Sequence, residues 1–190
     1  MNLYSSHAGA FLMAVRNLLD VVQEFKAGGP ARIFELYSPP VFVSANKTSD
    51  VKKSGHDTIS GESTDKIMNP WKDTQVYPVG EFGTHPFKGQ FYCIGRAKTN
   101  DVIIDDGTVS SFHASLKQVG SDWVLKDENS KNGTYVGQRN REVKLEIDER
   151  CVLKEGVSVK FGSVAFLFYT PAGFVDYLQL WKGLYGQRNK

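Results

Sequence analysis

Residues 91–135 read FYCIGRAKTNDVIIDDGTVSSFHASLKQVGSDWVLKDENSKNGTY, and this stretch decides the fold. Apolar residues two positions apart separate three polar clusters within it, and that period is typical of half-buried strands. The polar clusters, at residues 95–96, 110–113 and 127–134, therefore fall in loops at strand ends. The apolar pairs are Val102 and Ile104, Ala114 and Leu116, and Trp123 and Leu125.

The polar clusters carry hydrogen-bond donors that could act together. Loops from different strands of a β-sandwich meet at its two ends, where several side chains can face one ligand. A guanidinium, two hydroxyls, an ammonium and an amide, with few carboxylates close by, suit a dianion such as a phosphate ester. The groups belong to Arg96, Ser110, Ser111, Lys131 and Asn132.

The same clusters resemble a known family in residue identity and in spacing. Gly95-Arg96, then Ser110 with His113-Ala114, then the SKNGT sequence of residues 130–134 resemble the forkhead-associated (FHA) domain. The resemblance implies an all-β, FHA-like sandwich that reads phosphothreonine peptides as a signalling adaptor. It also implies a protein that is not an enzyme. The sequence has no Gly-rich nucleotide loop and no zinc pattern, so we expect no cofactor or metal.

The resemblance implies a role for each site residue. Arg96 and Ser110 would hold the phosphate, Asn132 would hold the peptide main chain, and His113 would brace the binding loop. Ser111 stands where many family members have Arg or Lys, so the site would have one cation fewer. Lys131 is a further candidate contact, and the supporting positions are Gly95, Gly133 and Thr134.

Composition limits the other functions that the chain could have. It has 190 residues, of which 41% are hydrophobic, so it can form one medium domain with extensions. A net charge of +2 argues against a nucleic-acid surface or a polybasic membrane anchor. Without a signal-peptide pattern or a membrane-spanning apolar run, we expect a cytoplasmic protein. Cys93 and Cys151 lie far apart with no metal-ligand spacing, so we expect reduced thiols.

Helical periods occur on both sides of the predicted sandwich. Residues 8–26 have a broad apolar face that ends at Gly28-Gly29-Pro30, and residues 31–37 could form a second, short helix. Another amphipathic helix begins at Pro171. The first helix could pack on the chain's own core or could dimerise, making a homo-oligomer. Its apolar positions are Phe11, Val15, Leu18, Val22 and Phe25.

These periods predict four segments. We expect an N-terminal helical extension over 1–43, a flexible Ser/Thr-rich linker over 44–66, an FHA-like sandwich over 67–170, and a C-terminal helix and tail over 171–190. Val41 and Val43 suggest a brief strand before the linker. Alternating residues suggest later strands, at Val143, Leu145 and Ile147 and at Val157, Val159 and Phe161.

Three other interpretations compete with a phosphothreonine reader. The domain could be a degenerate scaffold that binds partners without phosphate, or an oligomerisation unit built on the first helix. Ser110, His113 and Asp127 could form a hydrolase triad, but no Gly-x-Ser-x-Gly sequence surrounds Ser110. The acidic residues lack the spacing of a calcium loop, which argues against a metal at Asp105, Asp106, Asp127 and Glu128.

Overall fold

The computed structural model describes residues 14–37, 39–45, 73–80, 83–138 and 141–185. The predicted linker lies outside these residues, except for its first two positions. The start of the predicted N-terminal helix, residues 8–13, also lies outside them. Within the described part, two helices accompany twelve mostly short strands.

The strands form two sheets. Their bounds are β1 Arg16–Asn17, β2 Val41–Ser44, β3 Gln75–Pro78, β4 Tyr92–Gly95, β5 Val102–Ile103, β6 Ala114–Val119, β7 Asp122–Asp127, β8 Thr134–Gln138, β9 Arg141–Lys144, β10 Arg150–Leu153, β11 Ser158–Phe161 and β12 Val164–Tyr169. Within the described residues the seven-stranded sheet has the order β1-β3-β2-β12-β11-β8-β9, and the five-stranded sheet has the order β10-β7-β6-β4-β5.

The two sheets enclose the larger of two hydrophobic cores, as in a β-sandwich. Phe42 of β2 lies in its middle, where its ring packs edge-on against Phe161 and Phe166. The five-stranded sheet contributes alternate residues of β6 and β7, including Leu116 and Leu125. The predicted two-residue period is therefore present in the strands that flank the polar loops.

The second core lies on the other face of the seven-stranded sheet. Neighbouring residues in a strand point to opposite faces of the sheet. Phe42 therefore points into the sandwich core, whereas Val41 and Val43 lie on the opposite face of the sheet. Helices α1 (Leu18–Leu36) and α2 (Pro171–Tyr185) cover these valines, and Phe174 of α2 is fully buried there. The apolar face of α1 is thus covered by the chain itself. No helix in the described ranges has the length and apolarity needed to cross a membrane.

The first helix differs from its predicted bounds. It begins at Leu18, because Asn17 has an extended backbone and its side chain accepts a hydrogen bond from the Leu19 amide at 2.9 Å. The preceding pair, Arg16–Asn17, forms β1 beside β3. The predicted break is present at Gly29, whose φ of 63° and ψ of −160° are not helical. Helical structure resumes at Pro30, as predicted for the second short helix.

Two details of the predicted sandwich are wrong. Strands β1 and β2 precede residue 67 yet belong to the seven-stranded sheet, where β2 pairs with β12 and joins it to β3. The alternation at residues 143–147 does not mark one buried strand, since β9 ends at Lys144. Leu145 is buried there, whereas Val143 and Ile147 are 60% and 76% exposed.

Candidate functional site

Two loops at one end of the sandwich are joined directly through their backbones. The amides of Arg96 and Ala97 donate to the carbonyls of Ser110 and Ser111 at 2.9 and 3.1 Å. Gly95 makes this approach possible, because a Cβ there would lie 2.5 Å from the Ser111 carbonyl oxygen. The first two polar clusters of the sequence therefore lie side by side.

The third cluster binds the same short segment. The Lys131 amide donates to Ser110 Oγ at 3.0 Å, and Asn132 Nδ2 donates to the Thr108 carbonyl at 2.7 Å. From the opposite loop, Arg96 Nε donates to the Val109 carbonyl at 3.3 Å. Residues 108–110 thus connect all three predicted clusters, because Arg96, Lys131 and Asn132 all bind this segment.

His113 is fully buried beneath these loops. Its Nδ1 accepts a hydrogen bond from the Ser110 amide at 3.0 Å, so the ring proton belongs to Nε2, which lies 3.2 Å from the Gly133 carbonyl. Burial lowers the pKa of His113, although the Gly133 carbonyl and Asp127 act in the opposite direction. The neutral ring therefore connects the second polar cluster to the third.

Asp127 organises the third cluster from below. Its carboxylate accepts hydrogen bonds from the Ser130 amide at 2.9 Å, the Ser130 hydroxyl at 2.7 Å and the Thr134 hydroxyl at 2.6 Å. Burial raises the pKa of Asp127, but the bonds from Thr134 and Ser130 outweigh it and the pKa is lowered. Gly133 completes the loop with a φ of 80°, which favours glycine.

The cationic and the acidic side chains at the loop end differ in the partners that they contact. Arg96 and Lys131 are exposed, and neither forms an ion pair with any residue that the structure describes. Two carboxylates are turned toward their own loops: Asp127 binds Ser130 and Thr134, and Asp106 binds Thr108. The cationic groups of Arg96 and Lys131 therefore remain available to a ligand.

Two bracing residues were missed by the sequence reasoning. Asn100 is buried, and its amide nitrogen donates to the carbonyls of Ala97 and Ser111 at 2.9 and 2.6 Å. Thr108 binds Asp106 through its hydroxyl and Asn132 through its carbonyl. Asn100 lies in the sequence TND and Thr108 in the sequence DGT. Both sequences predict a turn, but neither indicates which groups the two residues bind.

A group with metal-ligand chemistry also forms away from this site. His85, Cys93 and Asp101 place side-chain donor atoms within 4.8 Å of one another, although His85 and Cys93 are eight residues apart. Asp101 already accepts hydrogen bonds from the amides of Gly83 and Cys93 and lies 2.6 Å from His85 Nε2. The cluster therefore attaches the loop at residues 83–87 to β4. Cys93 and Cys151 are both free thiols, as predicted.

The geometry argues against the hydrolase interpretation. A catalytic base must reach the nucleophile's hydroxyl, but His113 Nδ1 accepts from the backbone amide of Ser110 and Nε2 faces the carbonyl of Gly133. Ser110 Oγ accepts from the Lys131 amide instead. Ser110, His113 and Asp127 thus hold loops together.

The arrangement defines a class of protein: a β-sandwich whose loop end presents donors for an anion on a hydrogen-bonded frame. Residues 92–162 match the family model of the FHA domain, and this part of the chain is an FHA domain. The match begins at the first residue of β4 and ends just after β11, so it contains all three polar clusters.

Two of the curated relatives are named as regulators, EmbR and GarA. The chain is 28% identical over 129 residues to the transcriptional regulatory protein EmbR of Mycobacterium tuberculosis, an alignment that covers 65% of this chain and 32% of EmbR. It is 38% identical over 76 residues to the glycogen accumulation regulator GarA of Mycolicibacterium smegmatis, covering 40% of this chain and 44% of GarA. The chain thus spans about a third of the length of EmbR and under half that of GarA.

A solved structure of EmbR from M. tuberculosis in complex with a low-affinity phosphopeptide is also similar. The identity is 25% and the TM-score is 0.38, with 44% of this chain and 20% of that chain covered.

Proposed function

We propose that this FHA domain binds peptides that contain phosphothreonine and acts as a non-catalytic signalling module. The observation that carries the proposal is the convergence of Arg96, Lys131 and Asn132 on residues 108–110. A phosphate monoester has a charge of roughly −1.5 to −2 near neutral pH, and it accepts several charge-assisted hydrogen bonds. This end of the sandwich offers such bonds from cationic side chains that form no ion pair with the residues the structure describes.

Each proposed contact corresponds to a donor that the loop framework leaves accessible. Arg96 donates its Nε–H to the Val109 carbonyl, and its two terminal NH2 groups can donate a pair of hydrogen bonds to phosphate oxygens. Ser110 and the exposed Ser111 can donate their hydroxyl protons, and the exposed Lys131 can add its ammonium. The Asn132 amide has a second N–H that can bind a peptide carbonyl.

A supporting set holds these donors in place. Gly95 allows the first two loops to touch, and His113 connects the Ser110 amide to the Gly133 carbonyl. Thr134 anchors Asp127, which orders Ser130. A binding site whose frame is already bonded loses little conformational entropy when the ligand arrives.

A second candidate function is a scaffold that binds partners without phosphate. It is favoured by Ser111, an exposed hydroxyl at a position where the family often has a cation. Fewer cations reduce the discrimination between a phosphorylated and an unmodified side chain.

Calorimetry with matched peptides separates the two candidates. Peptides would be selected from a phosphothreonine library, and each would be titrated as phosphothreonine, unmodified threonine and glutamate versions. A phosphate reader binds the first at least about tenfold more tightly than the other two, since one charge-assisted bond is worth roughly 1.5 to 3 kcal/mol. Equal affinities for phosphorylated and unmodified peptides would favour the scaffold.

A further inference from the structure

Lys144 lies over the loop that carries Lys131 and Asn132. It is the last residue of β9 and pairs with Tyr135 of β8, directly after the SKNGT loop. A Cβ placed on Gly133 would lie 2.5 Å from Lys144 Cε and 3.4 Å from its Nζ. The lysine side chain thus occupies the space that glycine leaves open, beside the residue that follows Asn132.

The neighbouring lysine on this sheet is neutralised, whereas Lys144 is not. Lys160 also pairs with Tyr135, but its ammonium forms an ion pair with Glu142 and lies 4.4 Å from the centre of the Tyr135 ring. Lys144 is exposed and forms no ion pair with the described part of the chain. Lys144 therefore brings an uncompensated charge to the edge of the candidate site.

We propose that Lys144 selects peptides with an acidic side chain close to the phosphothreonine. This inference rests on the proposed function and narrows its substrate class. Arg96 and Lys131 bind the 108–110 segment, where the phosphate would lie, while the Lys144 side chain lies beside Gly133, the residue that follows Asn132. A peptide held by the Asn132 amide would lie next to both places, and an extended chain advances about 3.3 Å per residue. A carboxylate within a few positions of the phosphothreonine can thus reach the Lys144 ammonium.

The test varies the charge at one flanking position of the peptide and at residue 144 of the protein, and compares the binding affinities. Phosphothreonine nonapeptide pools would be degenerate except for one flanking position, fixed as Glu in one pool and Gln in the other. Each pair of pools would be measured against the parent chain, Lys144→Gln and Lys144→Arg. For at least one position, we expect the parent and Lys144→Arg to prefer Glu by about two- to fivefold, the range of an exposed ion pair, and Lys144→Gln to show no preference.

Lys117→Gln is the matched control for net charge. Lys117 is also exposed, but it lies on β6 of the other sheet, so this variant should keep the Glu preference. The inference is overturned if the parent shows no preference at any position, if Lys144→Gln retains it, or if Lys117→Gln removes it equally. It is also overturned if Lys144→Gln weakens the Glu and Gln pools alike, since Lys144 would then contact the phosphate. If no phosphothreonine pool binds the parent, the proposed function itself fails.

Discussion

The loop end and the helical layer of this protein are built in opposite ways. In the helical layer, α1 and α2 cover Val41 and Val43 with an apolar core in which Phe174 has no exposed surface. At the loop end, buried polar groups such as His113 and Asp127 hold exposed donors in position. Apolar packing tolerates many side chains of suitable volume, whereas a hydrogen-bonded loop needs particular atoms at particular places. Variants in the two regions should therefore have separable effects on stability and binding.

The largest effect on stability is expected in the helical layer. Phe174→Ala should lower the free energy of unfolding by about 3 to 5 kcal/mol, because a buried ring is lost and a cavity remains. Denaturant unfolding measures this loss, and the folded fraction should still bind phosphopeptide with the affinity of the parent. Leu180→Ala is a control on the same helix, since Leu180 is 70% exposed. A loss below about 1 kcal/mol for Phe174→Ala would mean that the layer adds little to the fold.

The buried carboxylate of Asp127 should affect both stability and peptide binding. Asp127→Ala leaves the Ser130 amide and the Ser130 and Thr134 hydroxyls without their acceptor, and we expect a loss of about 2 to 4 kcal/mol in unfolding free energy. Peptide binding should weaken as well, since the loop that carries Lys131 loses its anchor. Asp105→Ala removes an exposed carboxylate nearby and should change stability by about 0.5 kcal/mol or less. Similar stabilities for the two variants would contradict the bracing role.

The exposed guanidinium of Arg96 should affect peptide binding but not stability. Arg96→Ala should weaken phosphopeptide binding by roughly tenfold to more than a hundredfold, because the guanidinium supplies charge-assisted bonds to the phosphate. Its thermal midpoint should stay close to that of the parent. Lys98→Ala removes a positive charge from the same exposed loop and should have a much smaller effect in the same calorimetric titration. If both variants weaken binding equally, a diffuse field rather than a specific contact holds the peptide.

The neutral state of His113 predicts a pH dependence. Because its pKa is lowered in the folded protein, the unfolded chain takes up a proton first as the pH falls. The stabilising contribution is thus complete above about pH 6.5, and below that it is lost with a limiting slope of about 1.4 kcal/mol per pH unit. Asp127, whose pKa is also lowered, contributes in the same sense but only in more acidic solution. Unfolding measured from pH 5 to 8 should show a shallower slope for His113→Asn than for the parent.

The local pattern of the sequence located the polar loop residues better than the hydrogen bonds that hold the loops, and the binding role of these residues stays a prediction. Arg96, Ser110 and Asn132 lie in motifs with fixed spacing, and the two-residue periods located the strands between them. The sequence predicts Asp127 as a turn carboxylate or a triad member, because sequence does not show that Ser130 and Thr134 both turn toward it. Hydrogen-bond partners within a loop depend on the final backbone, which composition does not specify.

Contacts between residues that are distant in the sequence explain the other differences between the predictions and the structure. The pairing of β1 with β3 joins residues 16–17 to residues 75–76, and a two-residue strand has no period to detect. In the same way, His85 meets Cys93 and Asp101 through the fold rather than through a motif. The break at Gly29 was predictable, because glycine followed by proline is a strong local stop signal.

The smallest expected effect concerns the amide of Asn132. Asn132→Ala should weaken binding of all phosphopeptides by about two- to tenfold, the value of one neutral hydrogen bond to the peptide main chain. Stability should change little, since Asn132 is exposed and loses only its bond to the Thr108 carbonyl. Asn132→Asp keeps the shape but replaces a donor with a negative charge, so it should bind more weakly than Asn132→Ala. Calorimetry on several unrelated phosphopeptides gives the decisive pattern: a uniform loss supports a main-chain contact, whereas a loss that varies with peptide sequence would assign Asn132 to a side-chain contact.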